Sequence, residues 1–240
     1  TACSPELRHA ALQLGAPTIP RLLAWGVDVK RFQPQARDGS LRANYNLPQG
    51  NRIVATLGRL VPKKGFAVLL RAWAELASEF PAVRIIIGGE GVQRNELQIL
   101  ALQLGIQNSV IFTGQIPWNE TPSFLAQVDI FVLPSRPDQS GNRDGLPTVL
   151  LEAMSCGLPV IASQIGGVEM VIADAVNGLL CPPGDAKALA QKMRLLLQNP
   201  QARAQLGDAA RQHVIQYHTW QHVARELDSF FAASSLPSQS

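Results

Sequence analysis

The chain has 240 residues, 46% of them hydrophobic and only 16% charged, with a net charge of +3. That is enough apolar material for a substantial core in one domain plus appendages, and too little basic character for nucleic acid to be an expected partner. No run approaches the ~18 apolar residues of a membrane span, and three widely spaced cysteines, Cys3, Cys156 and Cys181, suit a reducing, cytoplasmic setting rather than a disulfide framework.

The start, Thr1-Ala2-Cys3-Ser4-Pro5, has neither an initiator Met nor a signal-peptide pattern, so a fragment of a longer protein is expected. Residues 5–14 read as a short helix ended by Gly15, residues 19–24 as a strand, and residues 35–51 as a polar connector with a short helix near 41–45. Regular α/β structure then begins. Ile53 to Leu57 is a β-branched run that breaks at Gly58, and a loop from Arg59 to Lys64 opens at Gly65 into a helix. That helix presents Phe66, Leu69, Leu70, Trp73, Leu76, Ala77 and Phe80 at helical spacing and is expected to run until Pro81. Val83 to Ile87 is a second strand, ending in Gly88-Gly89-Glu90-Gly91. A helix on Leu97, Leu100, Ala101 and Leu104 follows. Val110 to Phe112 is a third strand, and Thr121-Pro122 reads as the cap and first turn of another helix. Ile130 to Leu133 is the fourth strand.

The next stretch, residues 143–163, reads as loop, helix, turn and strand. Asp144-Gly145 is a turn dipeptide, Pro147 marks the start of the helix, Gly157 supplies a left-handed stop, and Val160 to Ala162 is a buried strand. Free N–H groups of Leu146, Thr148 and Val149 at such a helix start attract phosphate. Asp144 beside it and Glu152 further in suit hydroxyls on the same ligand, because an ionised carboxylate accepts from two adjacent hydroxyls. The residue types equally allow Asp144 to be a helix cap and Glu152 a surface residue. Beyond this, Val168 to Ala173 reads as a short helix and residues 178–180 as a strand. Asp185, Asn199 and Thr219 read as caps of three further helices, and residues 234–240 as a disordered tail.

Strands that alternate with helices predict an α/β chain with a Rossmann-like, doubly wound parallel sheet covered on both faces, with ligands at the strands' carboxyl ends. The Gly-x-Gly-x-x-Gly of nicotinamide enzymes is missing after the first strand. Cys156 reads as a buried structural thiol, and the stripe of His218, His222 and Glu226 is not read as a metal site.

Gly58-Arg59-Leu60 followed by Lys64-Gly65, and Asp144 followed eight positions later by Glu152, closely resemble the donor-binding half of retaining GT-B glycosyltransferases of family 4. Trp25-Gly26-Val27-Asp28 with Phe32 and Pro34 resembles the start of that family's second domain, although Asn is commoner there than Trp25. The resemblance implies that residues 1–34 end a first domain and its linker, that residues 35–215 are one half of a GT-B fold, and that residues 216–240 add a helix and tail. It implies that Arg59 and Lys64, beside Gly58, hold the donor's diphosphate and stabilise the leaving charge, while Asp144 contacts hydroxyls of the transferred sugar. Gly145, Leu146, Pro147 and Thr148 would turn backbone groups to phosphate and sugar, Glu152 would grip the ribose, and Gly89, Glu90, Gly91, Gln115 and Ile116 would lie by the base. No metal or other cofactor is implied.

The implied partners are a nucleotide diphosphate sugar, such as a UDP- or GDP-sugar, and the chain's own N-terminal acceptor domain; a mildly basic surface also suits peripheral contact with anionic lipid at the cytoplasmic face of a membrane. The implied product is a glycan or lipid-linked sugar. Two departures stand out: Asp144 replaces the usual Glu, and Glu169-Met170 replaces a frequent Pro-Glu. His9, His213, His218 and His222 are expected outside the strand-end cleft, so the chain alone is expected to bind donor and transfer little. The alternative is a non-catalytic nucleotide-sugar-binding or interaction module.

Overall fold

Unbroken aliphatic runs need cover on both sides, and the sheet is built from six of them. The computed structural model describes residues 1–234. Its strands are β1 (Arg52–Leu57), β2 (Val83–Gly88), β3 (Val110–Gly114), β4 (Ile130–Leu133), β5 (Val160–Ser163) and β6 (Leu179–Cys181). All pair in parallel in the order β3-β2-β1-β4-β5-β6. Successive residues of β1 enter opposite cores: Val54 joins one cluster, Ile53 and Ala55 the other. This is why the strand shows no polar alternation.

On one face lie α3 (Phe66–Ala74), α4 (Arg94–Gln103) and α7 (Ala186–Gln198). The other face carries α5 (Thr121–Ala126), α6 (Thr148–Ser155) and α8 (Pro200–Tyr217). The chain reverses its winding direction after β3, so β1 and β4 are neighbours. A crevice opens above their carboxyl ends. Helix α1 (Pro5–Gln13), the short α2 (Ser40–Asn44) and α9 (Trp220–Ser234) sit outside this frame.

The caps follow from side-chain chemistry. Asp185 accepts from the Ala188 N–H and Asn199 from the Ala202 N–H, each at 2.9 Å, and Thr219 Oγ1 accepts from the His222 N–H at 3.3 Å.

Several expectations are corrected. Residues 19–24 form no strand; Ile19 is exposed, and the segment pairs only through an isolated bridge from Ala2 to Leu22. Helix α3 ends at Ala74 rather than at Pro81. The Trp73 carbonyl accepts from both Leu76 and Ala77, which tightens the chain into turns while still burying Leu76. Thr121 is the first residue of α5, not its cap, and its hydroxyl donates to the Pro117 carbonyl. Pro147 precedes α6, with Thr148 as the first helical residue. Gly166–Met170 is a 3-10 helix in place of the short helix expected at Val168 to Ala173. The tail expected to be disordered falls, from residue 235 onward, outside the described residues.

The segment before α2 docks on the last helical corner. The Val27 N–H donates to the His218 carbonyl at 2.8 Å, and a Cβ on Gly26 would come within 2.8 Å of the Trp220 ring. His218 is buried there beside His213 and His222, and burial first, then these neighbours, push its pKa from 6.5 down to about 4. The unfolded chain therefore takes up this proton first as pH falls, and stability is lost between about 6.5 and 4. Thermal melts across this range are expected to show a His218→Asn variant with a shallower acid loss than the parent, by roughly 2 kcal/mol at the acid end.

Candidate functional site

The exits of β1, β2 and β3 are laced together by their backbones. Gly58 N–H donates to the Gly88 carbonyl at 3.0 Å, Leu60 N–H to the Glu90 carbonyl at 2.8 Å, and Gly89 N–H to the Gly114 carbonyl at 2.7 Å. Gly89 has φ +135°, and a Cβ there would lie 1.9 Å from the Gly58 carbonyl oxygen. Only glycine permits the two loops to approach so closely. The α3 start is held in the same way: Gly65 has φ +68°, and its missing Cβ would lie 1.9 Å from the Pro134 carbonyl oxygen. That contact carries the preceding residues, Lys63 and Lys64, toward the loop after β4.

A cleft of about 590 Å³ opens over these loops. Gly58, Arg59 and Lys64 form one wall, Gly89, Glu90, Gln115 and Ile116 another, and Pro147, Thr148 and Glu152 the third. All were expected from sequence to share a site. Gly88, at a strand exit, and Val149, at the helix start, also line it, as the strand-end and helix-start readings suggested, whereas Leu57 and Thr121 line it without having been anticipated; Leu57 ends its strand, a position that could have flagged it. The first turn of α6 opens into this cleft at Thr148 and Val149, a position suited to an anion.

Four expected residues lie elsewhere. Gly91 packs against Leu60, Leu146 is buried, and Gly145 lies beneath Cys3 and Leu7 of the N-terminal segment. Asp144 is the informative case. Its carboxylate, 9% exposed, accepts from Ser135 Oγ at 2.9 Å and pairs with Lys64 at 2.9 Å and Lys63 at 3.4 Å. It does not line the shared cleft, and its carboxylate ends in this cage. On its open side a separate hollow of about 630 Å³ is lined by Asp144, Arg143, Glu6 and His9. His9 thus borders Asp144 without entering the cleft.

Glu152 occupies the second turn of α6 and is mostly buried. Burial pushes its pKa from 4.5 up to about 7, against the opposing influence of the Arg31 charge. Among the described residues nothing gives its carboxylate a hydrogen bond or ion pair. The Glu90 carboxylate, by contrast, is paired with Arg94. The Cys156 thiol is pushed up to about 12 and the Cys181 thiol to about 11, both chiefly by burial, which leaves them protonated and unreactive. Among the described residues no group of three or more His, Cys, Asp or Glu side chains is placed to hold a metal ion, and no helix is long and apolar enough to cross a membrane. A cationic wall facing an open helix start, with a poised carboxylate beyond it, matches a ligand that carries phosphate at one point and hydroxyls at another.

Comparison with known proteins agrees with this geometry. Residues 38–213 match the model of the family described as glycosyl transferases group 1. The GDP-mannose-dependent alpha-(1-6)-phosphatidylinositol monomannoside mannosyltransferase of Mycolicibacterium smegmatis is 37% identical over 199 residues, 81% of this chain and 51% of that protein. Among solved structures, Anabaena HepE in complex with UDP and glucose superposes with a TM-score of 0.84 at 25% identity, covering 97% of this chain and 62% of that one. Sucrose-phosphate synthase from Thermosynechococcus elongatus superposes with a TM-score of 0.80 at 28% identity, covering 97% and 57%. The chain spans about half the length of the curated relatives it matches. The family match runs from the segment before β1 into α8 and so takes in the whole sheet and cleft: the chain belongs to the group 1 glycosyl transferases.

Proposed function

We propose that this chain is the C-terminal, donor-binding half of a retaining, family 4 glycosyltransferase that moves a sugar from a nucleotide diphosphate sugar to a glycan or lipid-linked acceptor. The observation that carries the reading is the meeting of Arg59, Lys64, the open start of α6 and Glu152 in one cleft at the switch point between β1 and β4. In this reading Arg59 and Lys64 neutralise the diphosphate and the charge that develops as it leaves, and the first-turn amides of α6 add directed donors. Glu152 accepts from the ribose hydroxyls. Gly89, Glu90, Gln115 and Ile116 border the base. Asp144 acts through Lys64, holding the ammonium in place, rather than by touching the sugar.

The relatives name both GDP-mannose and UDP, so the base is left to experiment. Calorimetric titration of the chain with UDP-, GDP- and ADP-sugars tests donor binding directly; absence of binding to all three would sink the reading. With the acceptor half supplied, NMR of the product's anomeric carbon tests retention.

Glu152→Gln is expected to separate function from stability. Its folded pKa of about 7 lies above the ordinary 4.5, so the folded state binds the proton more tightly, and stability present at low pH is lost as pH rises through about 7. Neutral glutamine removes that loss. At pH 8 the variant is expected to gain roughly 2 kcal/mol in urea unfolding, while nucleotide-sugar affinity falls ~10- to 100-fold with the loss of charge-assisted hydrogen bonds.

A further inference from the structure

The carboxylate that borders the cleft also borders the ring on which Arg31 is stacked. Glu152 lines the donor cleft and also a separate cavity of about 230 Å³, which it shares with Asp28, Phe32, Trp118 and Thr148. Arg31 sits in the linker between Asp28 and Phe32, and its backbone is fixed there. Asp28 Oδ1 accepts from the N–H groups of Lys30 and Arg31 at 3.0 and 3.1 Å, and the buried Phe32 gives its carbonyl to the Ser155 hydroxyl of α6. The linker is therefore fastened to the helix that carries Glu152.

The side chain is fixed as well. The Arg31 guanidinium lies 3.5 Å from the centroid of the Trp118 ring, and one of its Nη atoms donates to the Trp118 carbonyl at 3.2 Å. Stacking and a hydrogen bond together hold a flexible side chain in one place. Its Nε is buried with no hydrogen-bond partner among the described residues. Trp118 is 62% exposed, on the loop that carries Gln115 and Ile116.

We infer that Arg31 is a positioning residue for the donor site, which, braced on Trp118, keeps the Glu152 carboxylate charged and available to the ribose hydroxyls. The inference rests on the reading of Glu152 as the ribose acceptor. The other charged or titratable groups around Glu152 do not serve this purpose. Arg59, Lys64 and Glu90 stand across the cleft, with Lys64 tied to Asp144 and Glu90 to Arg94. Asp28 is occupied by backbone N–H groups, and the Cys156 thiol, a turn further along α6, is protonated. Arg31 is the charge that opposes the effect of burial on Glu152. The linker between the two halves of the enzyme thereby contributes to the donor site without touching the donor.

The test is the pH dependence of affinity for GDP-mannose and UDP-glucose, measured separately by calorimetry on the full chain from pH 5.5 to 9. A nucleotide sugar is the right probe because its diphosphate is esterified at both ends and lacks the ionisation near ~6 of a phosphate monoester. For the parent, affinity is expected to climb as pH passes through about 7. Arg31→Gln is expected to move that climb upward by about one pH unit and to weaken binding roughly three- to fivefold at pH 7, whereas Arg31→Lys keeps the midpoint near the parent's. Trp118→Leu, at an exposed site that cannot threaten the core, is expected to shift the midpoint the same way by less.

A uniform loss of affinity at all pH values in Arg31→Gln and Trp118→Leu, with the midpoint unmoved, would show a merely structural contact and overturn the inference. The reading of Glu152 is checked separately. Glu152→Gln should bind weakly with a flat profile, and parent-like binding by that variant would remove the ribose role and the inference with it.

Discussion

Gly89→Ala is expected to destabilise the chain by about 4 kcal/mol or more, a size reserved for a few mechanisms such as a buried clash in a fixed backbone. The Cβ would sit 1.9 Å from the Gly58 carbonyl oxygen, and the three nearest atoms all belong to the Gly58 backbone, so no side chain can swing away. Relief requires the exits of β1 and β2 to part, which breaks the bonds from Gly58 to Gly88 and from Leu60 to Glu90. The backbone at φ +135° adds its own penalty for any L-residue with a Cβ. Gly184→Ala is the control. It has φ +80° but open space around it, so it isolates the left-handed penalty and is expected to lose only ~1–2 kcal/mol. Urea unfolding of the two variants separates clash from backbone preference. Because Gly58 and Gly89 both line the cleft, whatever Gly89→Ala protein remains folded is expected to bind nucleotide sugar more weakly than the parent.

Lys64→Met is expected to damage both stability and binding, by separable routes. The ammonium lies 2.9 Å from Asp144, and the two side chains are only 14% and 9% exposed. Removal of one member of such a pair leaves an incompletely compensated buried carboxylate, with Lys63 at 3.4 Å and the Ser135 hydroxyl as remaining partners. A loss of roughly 2–4 kcal/mol in urea unfolding is expected. Donor affinity should fall ~100-fold or more, the size typical of losing one cation that faces a phosphate in a sheltered site. The double variant Lys64→Met/Asp144→Asn tells the two apart. Without the carboxylate the stability loss should largely disappear, whereas affinity should stay low because the diphosphate still lacks its cation. Recovery of affinity in the double variant would mean that Lys64 serves only Asp144.

If the proposed donor site holds, the Asp144 cage also bears on substrate choice. A Glu at this position would carry its carboxylate one methylene further from Lys64 and Ser135. On the proposed reading, arm length would set whether the acid stays with the lysines or reaches a sugar. Sequence showed the departure; its consequence depends on where Lys63 and Lys64 end up, about 80 residues earlier in the chain.

Much of the architecture was legible because parallel strands buried on both faces must be apolar throughout, and runs such as Ile53 to Leu57 and Ile130 to Leu133 have no other use in so short a stretch. The caps at Asp185 and Asn199 were legible for a local reason, since side chain and N–H partner lie three residues apart. Cleft membership of Gly58, Arg59, Lys64, Glu90 and Gln115 followed from topology, since the exits of parallel strands share one edge, whereas Glu152, inside α6, was implied by the family resemblance. Tertiary structure alone decided which of these groups are free and which are spent on each other. The pairing of Asp144 with Lys64, the cover of Cys3 and Leu7 over Gly145, and the bracing of Arg31 on Trp118, 87 positions away, all join distant segments. Such contacts are set by how crossovers and linker pack, and no local pattern of residues encodes them.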